Sequence, residues 1–195
     1  MKRIAVRTTL CILICLASST AHASLFTFTP PDADIYDLEH QYYYTWGIIS
    51  NLPDEEIVEA TLYIDKINNW KDEVNYLYIH LLDTNSACLD IGTDWQGGGD
   101  AFSGQGIPLT TYSDTDGTYG YESSGVNWSY GFTASQLVTL NQYASDNKFG
   151  FGFDPDCHFW NDGVSFEIAT VPEPASMLLF GIGALGFGVA RRKRF

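Results

Sequence analysis

Positive charge is nearly missing from the middle of this 195-residue chain. Between Ser24 and Thr170 only Lys66, Lys71 and Lys148 are basic, against 23 Asp and Glu, a net charge of −20. So negative a surface repels phosphate backbones and anionic headgroups, which excludes nucleic acid as a partner. Two readings of the acid excess stay open: solubility, or attraction of cations such as calcium. Catalytic motifs are absent as well. No Gly-x-Ser-x-Gly, His-Glu-x-x-His or P-loop occurs, so no serine hydrolase, zinc protease or phosphate loop of those types is signalled. Internal repeats are missing, which sets solenoids and propellers aside. No apolar run reaches the roughly 20 residues of a full membrane span. The two longest apolar stretches sit at the ends, and Cys11 and Cys15, half of the four cysteines, lie in the first of them.

That first stretch, Thr8–Ala17, follows the basic residues Lys2, Arg3 and Arg7 and precedes Ala21-His22-Ala23. A basic start, an apolar run and a small-x-small end predict a signal peptide over residues 1–23, cut between Ala23 and Ser24. Ten helical residues reach about 15 Å, half of a hydrocarbon core of about 30 Å, so a cleaved signal fits better than an anchor. Residues 171–195 have three parts: Pro172-Glu173-Pro174, the apolar residues 175–190, and Arg191, Arg192, Lys193 and Arg194. The prolines hold their segment extended. The apolar part predicts a transmembrane helix of about 24 Å, which snorkelling of the flanking cations completes. The four cations stop transfer and keep the tail cytoplasmic.

This order of motif, Gly-rich apolar helix and arginine cluster resembles the PEP-CTERM sorting domain. The resemblance implies delivery by the export machinery and anchoring in the inner membrane. It further implies processing near Pro172, Glu173 and Pro174 by exosortase, an integral-membrane cysteine protease, and release to the cell surface or an extracellular polysaccharide matrix. Such tails are also labelled as an ice-binding protein C-terminal domain, which carries no evidence of ice binding. An ordinary tail anchor, never cut, is the alternative.

The remaining body, residues 24–170, has the size of one domain. Residues 39–50, 57–67, 74–82, 148–153 and 164–170 read as strands by alternation and by β-branched and aromatic content. In the second of these, Val58, Ala60, Leu62 and Ile64 form the apolar face. Thr133-Ala134-Ser135-Gln136 has the form of a capping box and predicts a helix over 134–145. Residues 83–127, rich in Gly, Ser, Thr and Asp, read as loops with one or two short strands. The expected fold is all-β: a single β-sandwich with one short helix, of a pattern resembling galactose-binding-like jelly rolls.

Within the body, Cys88 and Cys157 form an even pair in an exported chain and predict one disulfide. It would close a loop worth about 4 kcal/mol, with two buried free thiols as the alternative. Asp154, Asp156, Asn161 and Asp162 supply hard oxygens within one loop and are candidate calcium ligands. Backbone-bonded turn residues are the alternative, with Gly163 providing positive φ. Cys157 beside His158 is a poor nucleophile pair, because neighbours on a strand point to opposite sides. His40 and His80 have no metal-ligand spacing and read as structural. Tyr42, Tyr43, Tyr44, Trp46, Trp70, Trp95, Trp128 and Trp160 are candidate sugar platforms, although most aromatics in a sandwich are core. The function expected from the whole is an exported, non-catalytic surface or matrix protein associated with exopolysaccharide or biofilm. Two alternatives accompany it: a calcium-assisted carbohydrate-binding module and a matrix-remodelling hydrolase.

Overall fold

In a computed structural model of the chain, the described residues are 23–52, 55–95, 98–114 and 125–172. Those from Ser24 to Thr170 form one compact unit. Among the described residues ten strands and one α-helix follow one another: β1 (Ser24–Phe28), β2 (Tyr42–Ile49), β3 (Glu55–Asn69), β4 (Asn75–Leu82), β5 (Leu89–Thr93), β6 (Ile107–Asp114), β7 (Val126–Gly131), α1 (Ala134–Tyr143), β8 (Lys148–Pro155), β9 (Phe159–Trp160) and β10 (Gly163–Pro172). They make two sheets. One has the order β1-β10-β3-β7 with β9 on β3, and the other β5-β2-β8-β4-β6. The fold is therefore all-β, with two sheets enclosing one apolar core.

The Lys-Phe-Gly-Phe-Gly-Phe run explains how the core is built. In β8 every second side chain points inward, so Phe149, Phe151 and Phe153 are fully buried. Phe151 meets Phe166 of β10 edge-to-face at 4.8 Å across the core. Each such ring contributes about 1.5–3 kcal/mol by burial. The outward positions are glycines for a different reason. A Cβ on Gly150 would lie 2.7 Å from the Thr84 methyl carbon, and one on Gly152 would lie 2.8 Å from the Phe102 ring. The outer face of β8 is thus covered by chain at contact distance.

The capping box forms as read: the Thr133 hydroxyl accepts from the Gln136 N–H, and the Gln136 side chain accepts from the Thr133 N–H. The alternation expected in β3 holds only in part. Ala60, Leu62 and Ile64 are buried, but Val58 is 42% exposed and Ile57 takes its place inside. The Asn141 side chain of α1 bonds both the N–H and the C=O of Ile57, standing in for a strand neighbour there. Farther along, the register shifts between Ile64 and Ile67 around Lys66, whose φ is 46°. This bulge adds one residue and turns Ile67 inward.

The predicted disulfide is not formed; Cys88 is an exposed free thiol and Cys157 a buried one. Register forbids the bridge. The Cys88 carbonyl accepts from Gly47, which pairs with Gly150 of β8, whereas Cys157 lies two residues past the end of that strand. Five residues of strand from Gly150 to Pro155 already span about 16 Å, far beyond the reach of about 7 Å that a disulfide allows between Cα atoms.

The lead-in to β2 holds a feature with no marker in the sequence. Ile35, Tyr36, Asp37 and Leu38 all have positive φ, at 52°, 53°, 55° and 45°. For L-residues each such position costs about 1–2 kcal/mol. The turn is held by Ile35 and Leu38, both fully buried, and by Asp32, whose carboxylate accepts from the Tyr36 N–H.

Two outcomes are expected. With Cys11 and Cys15 replaced by serine, intact mass is the same with and without reductant, and a thiol reagent labels Cys88 in the native state but Cys157 only after unfolding. A two-hydrogen difference would restore the bridge. Tyr36→Gly relieves one left-handed position at an exposed site and stabilises by about 0.5–1 kcal/mol in urea unfolding. A loss of stability would show that the turn is unstrained.

Candidate functional site

Asp154 continues the outward series Gly150, Gly152 in β8, so it faces the covering chain. Its strand neighbour on β4 is Tyr78, and that of Gly152 is His80. Above them, Phe102 is 2% exposed and packs edge-on to Tyr43 at 5.5 Å and against His80 at 5.9 Å. Asp100 turns the covering chain. One of its oxygens accepts from the Phe102 N–H at 3.0 Å, and the other faces His80 Nε2 at 2.8 Å. His80 Nδ1 donates to the Gln105 carbonyl at 3.0 Å.

Beneath this cover Asp154 is 1% exposed. Its Oδ2 accepts from the Ala101 N–H at 2.7 Å, and its Oδ1 has no partner. The Asp94 carboxyl lies within hydrogen-bonding range of it, with Asp100 close by. Burial pushes the Asp154 carboxyl up to about 6, the Asp94 and Asp100 charges add to this, and the Ala101 N–H works against it. Burial also raises the Tyr78 hydroxyl, reinforced by the Asp156 and Asp100 charges. Trp95, next to Asp94, is 79% exposed. The arrangement is an acid pair, Asp94 with Asp154, that holds one positive charge between two carboxylates more comfortably than none.

The four expected calcium ligands are not brought together. Asp154 points under the cover. The Asp156 carboxylate accepts from the Tyr76 N–H. Asn161 donates to the Asp34 carbonyl at 2.8 Å and accepts from the Gly163 N–H at 3.1 Å, a backbone-bonded turn. Asp162 pairs with Lys66. Among the described residues no group of three or more His, Cys, Asp and Glu could hold a metal.

His158 forms a second cluster. Its Nδ1 faces the Glu39 carboxylate at 2.9 Å, and its ring lies 4.2 Å from that of Trp160 and 5.1 Å from that of Trp70. Burial raises the Cys157 thiol, which opposes formation of a nucleophilic thiolate. Of the candidate sugar platforms, Tyr44 and Trp46 are core and only Trp95 is strongly exposed. Asp94, Asp100 and the left-handed turn escaped the sequence reading. One signal was there for Asp154: a carboxylate that shares a face with glycines, a face reserved for close cover.

The acid pair has a sign that can be worked out. A carboxyl whose folded value is raised stabilises the fold while protonated; that stability is complete below the unfolded value near 4 and is lost as pH rises through about 6. Asp34, pushed up to about 6 chiefly by its hydrogen bond to Asp32, acts in the same direction, while Asp32 itself is lowered and opposes it. In metal-free buffer the melting temperature should fall between pH 4 and 6.5, and Asp154→Asn should flatten that fall. An unchanged slope in Asp154→Asn would remove Asp154 from the account.

Of the expected targeting residues, Ala23 is exposed and Ser24 opens β1. Ala21, Glu173, Pro174, Arg191, Arg192, Lys193 and Arg194 lie outside the described residues, as does the Pro172 side chain. No described helix is long and apolar enough to cross a membrane, and residues 175–190 are outside that statement. No curated protein matches the chain. A family model, the PEP-CTERM protein-sorting motif, matches residues 170–194. The chain thus carries a PEP-CTERM protein-sorting motif, which starts inside β10 and continues through the arginine cluster.

Proposed function

We propose that this is an exported, non-catalytic protein of the cell surface or extracellular matrix, handed over by exosortase and associated with exopolysaccharide or biofilm. The observation that carries the reading is the sorting motif at residues 170–194. Such a motif implies export and processing at a membrane protease. The build of the body supports the non-catalytic part. Its Asp94–Asp154 carboxyl pair has one member 1% exposed beneath a covering segment, where a substrate has no approach. Strands that pass repeatedly between two sheets support a jelly-roll connection of the sandwich.

A second reading, a carbohydrate-binding module, is favoured by one observation. Trp95 is the most exposed large apolar or aromatic side chain among the described residues and sits beside Asp94, a pairing suited to stacking on a sugar ring while a carboxylate accepts its hydroxyls.

Replacing Pro172, Glu173 and Pro174 together by alanine, in a host that contains exosortase, should leave the protein unprocessed in the inner-membrane fraction. Fractionation identical to that of the parent protein would end the sorting reading.

A further inference from the structure

The Asp154 carboxylate is a buried acceptor with an unmet requirement. It is 1% exposed, yet Oδ1 has no partner. Leaving such an atom unbonded costs about 1–3 kcal/mol, and more for a charged group. Within hydrogen-bonding range of this carboxylate lies another carboxyl, that of Asp94. Two ionised carboxylates only accept, so a hydrogen-bond donor or a cation must stand between them.

Among the described residues the lysines are elsewhere. Lys66 pairs with Asp162 and Lys71 with Glu73. Lys148 begins β8, six residues before Asp154, about 20 Å along the strand. His80 turns one nitrogen to Asp100 and the other to Gln105. Below pH 6 a proton can fill the role, since the Asp154 carboxyl is pushed up to about 6. At neutral pH another donor or a cation is needed, and a body that carries 20 excess negative charges favours a cation.

We propose that a calcium ion binds between the carboxylates of Asp94 and Asp154 and fastens the covering segment to the outer face of β8. The ligand chemistry selects the metal. Zinc and its neighbours need three or four side-chain ligands, commonly imidazole or thiolate, and no such group exists among the described residues. Calcium accepts six to eight oxygens and takes main-chain carbonyls and water beside one or two carboxylates. This site shares only Asp154 with the loop expected from the sequence. The bound ion draws together residues 60 positions apart, and it orders the chain next to Trp95.

The test uses the full chain in detergent at neutral pH, melted in chelator and again in millimolar calcium chloride. Calcium should raise the melting temperature by about 5–10 °C if its concentration is near a hundred times the dissociation constant. Terbium should show emission sensitised by the neighbouring Trp95. Asp94→Asn and Asp154→Asn should each abolish both effects. Asp94 lies in a half-buried loop position, so Asp94→Asn keeps the test valid even if Asp154→Asn fails to fold. No calcium shift in the parent chain, with pH alone moving its melting temperature, would show that a proton closes the pair and would overturn the proposal. A calcium shift retained in Asp94→Asn would place the ion on the general acidic surface and would overturn it equally.

Discussion

Strand β8 is pressed from both sides. Three phenylalanines face the second sheet, while the Thr84 side chain and the Phe102 ring come within 2.7 and 2.8 Å of where Cβ atoms on the two outward glycines would be. A strand at the middle of a five-stranded sheet, sealed on both faces, leaves no solvent for the next outward residue. That residue is Asp154. Its burial, its raised carboxyl and its approach to Asp94 all follow from the cover. Were the outer face open to water, Asp154 would be an ordinary surface carboxylate. The Phe102 ring is the wedge that makes the difference, since it fills the place where a side chain on Gly152 would stand.

Much of this fold was legible in the sequence for local reasons. Alternation marked β2, β3, β4, β8 and β10, and Thr133 with Gln136 marked α1, because pleat and capping depend on neighbours in the chain. What failed depended on distant residues. Val58 was assigned inward by period, but Asn141, 83 residues later, takes the Ile57 backbone and reverses the faces. Cys88 and Cys157 made a sensible pair by count, and only strand register separates them. The turn at Ile35–Leu38 has no glycine or asparagine to announce its left-handed backbone. Asp94 and Asp100 looked like two of many acids in a loose region, and nothing nearby in the sequence says that Asp154 lies beneath them.

Body and label divide the work of this chain. The label is read from 25 residues that match a sorting motif, and it says where the protein is sent. The body says what arrives: a sandwich with a heavily acidic surface and aromatic rings turned mostly inward. A surface of one charge sign keeps a protein dispersed by self-repulsion. It also makes any internal meeting of carboxylates conspicuous, because those positions alone resist mutual repulsion.

Ser24 pairs with Thr170 across β1 and β10. The body therefore begins and ends at one point of its sheet, so Ser24 lies beside the first residue of the sorting motif, Thr170. Thr170 is fully buried, with its hydroxyl bonded to Glu55, which gives a processing enzyme little slack between the last core residue and Pro172. A segment joined ahead of Ser24 would leave the body at the same edge as the first residue of the sorting motif.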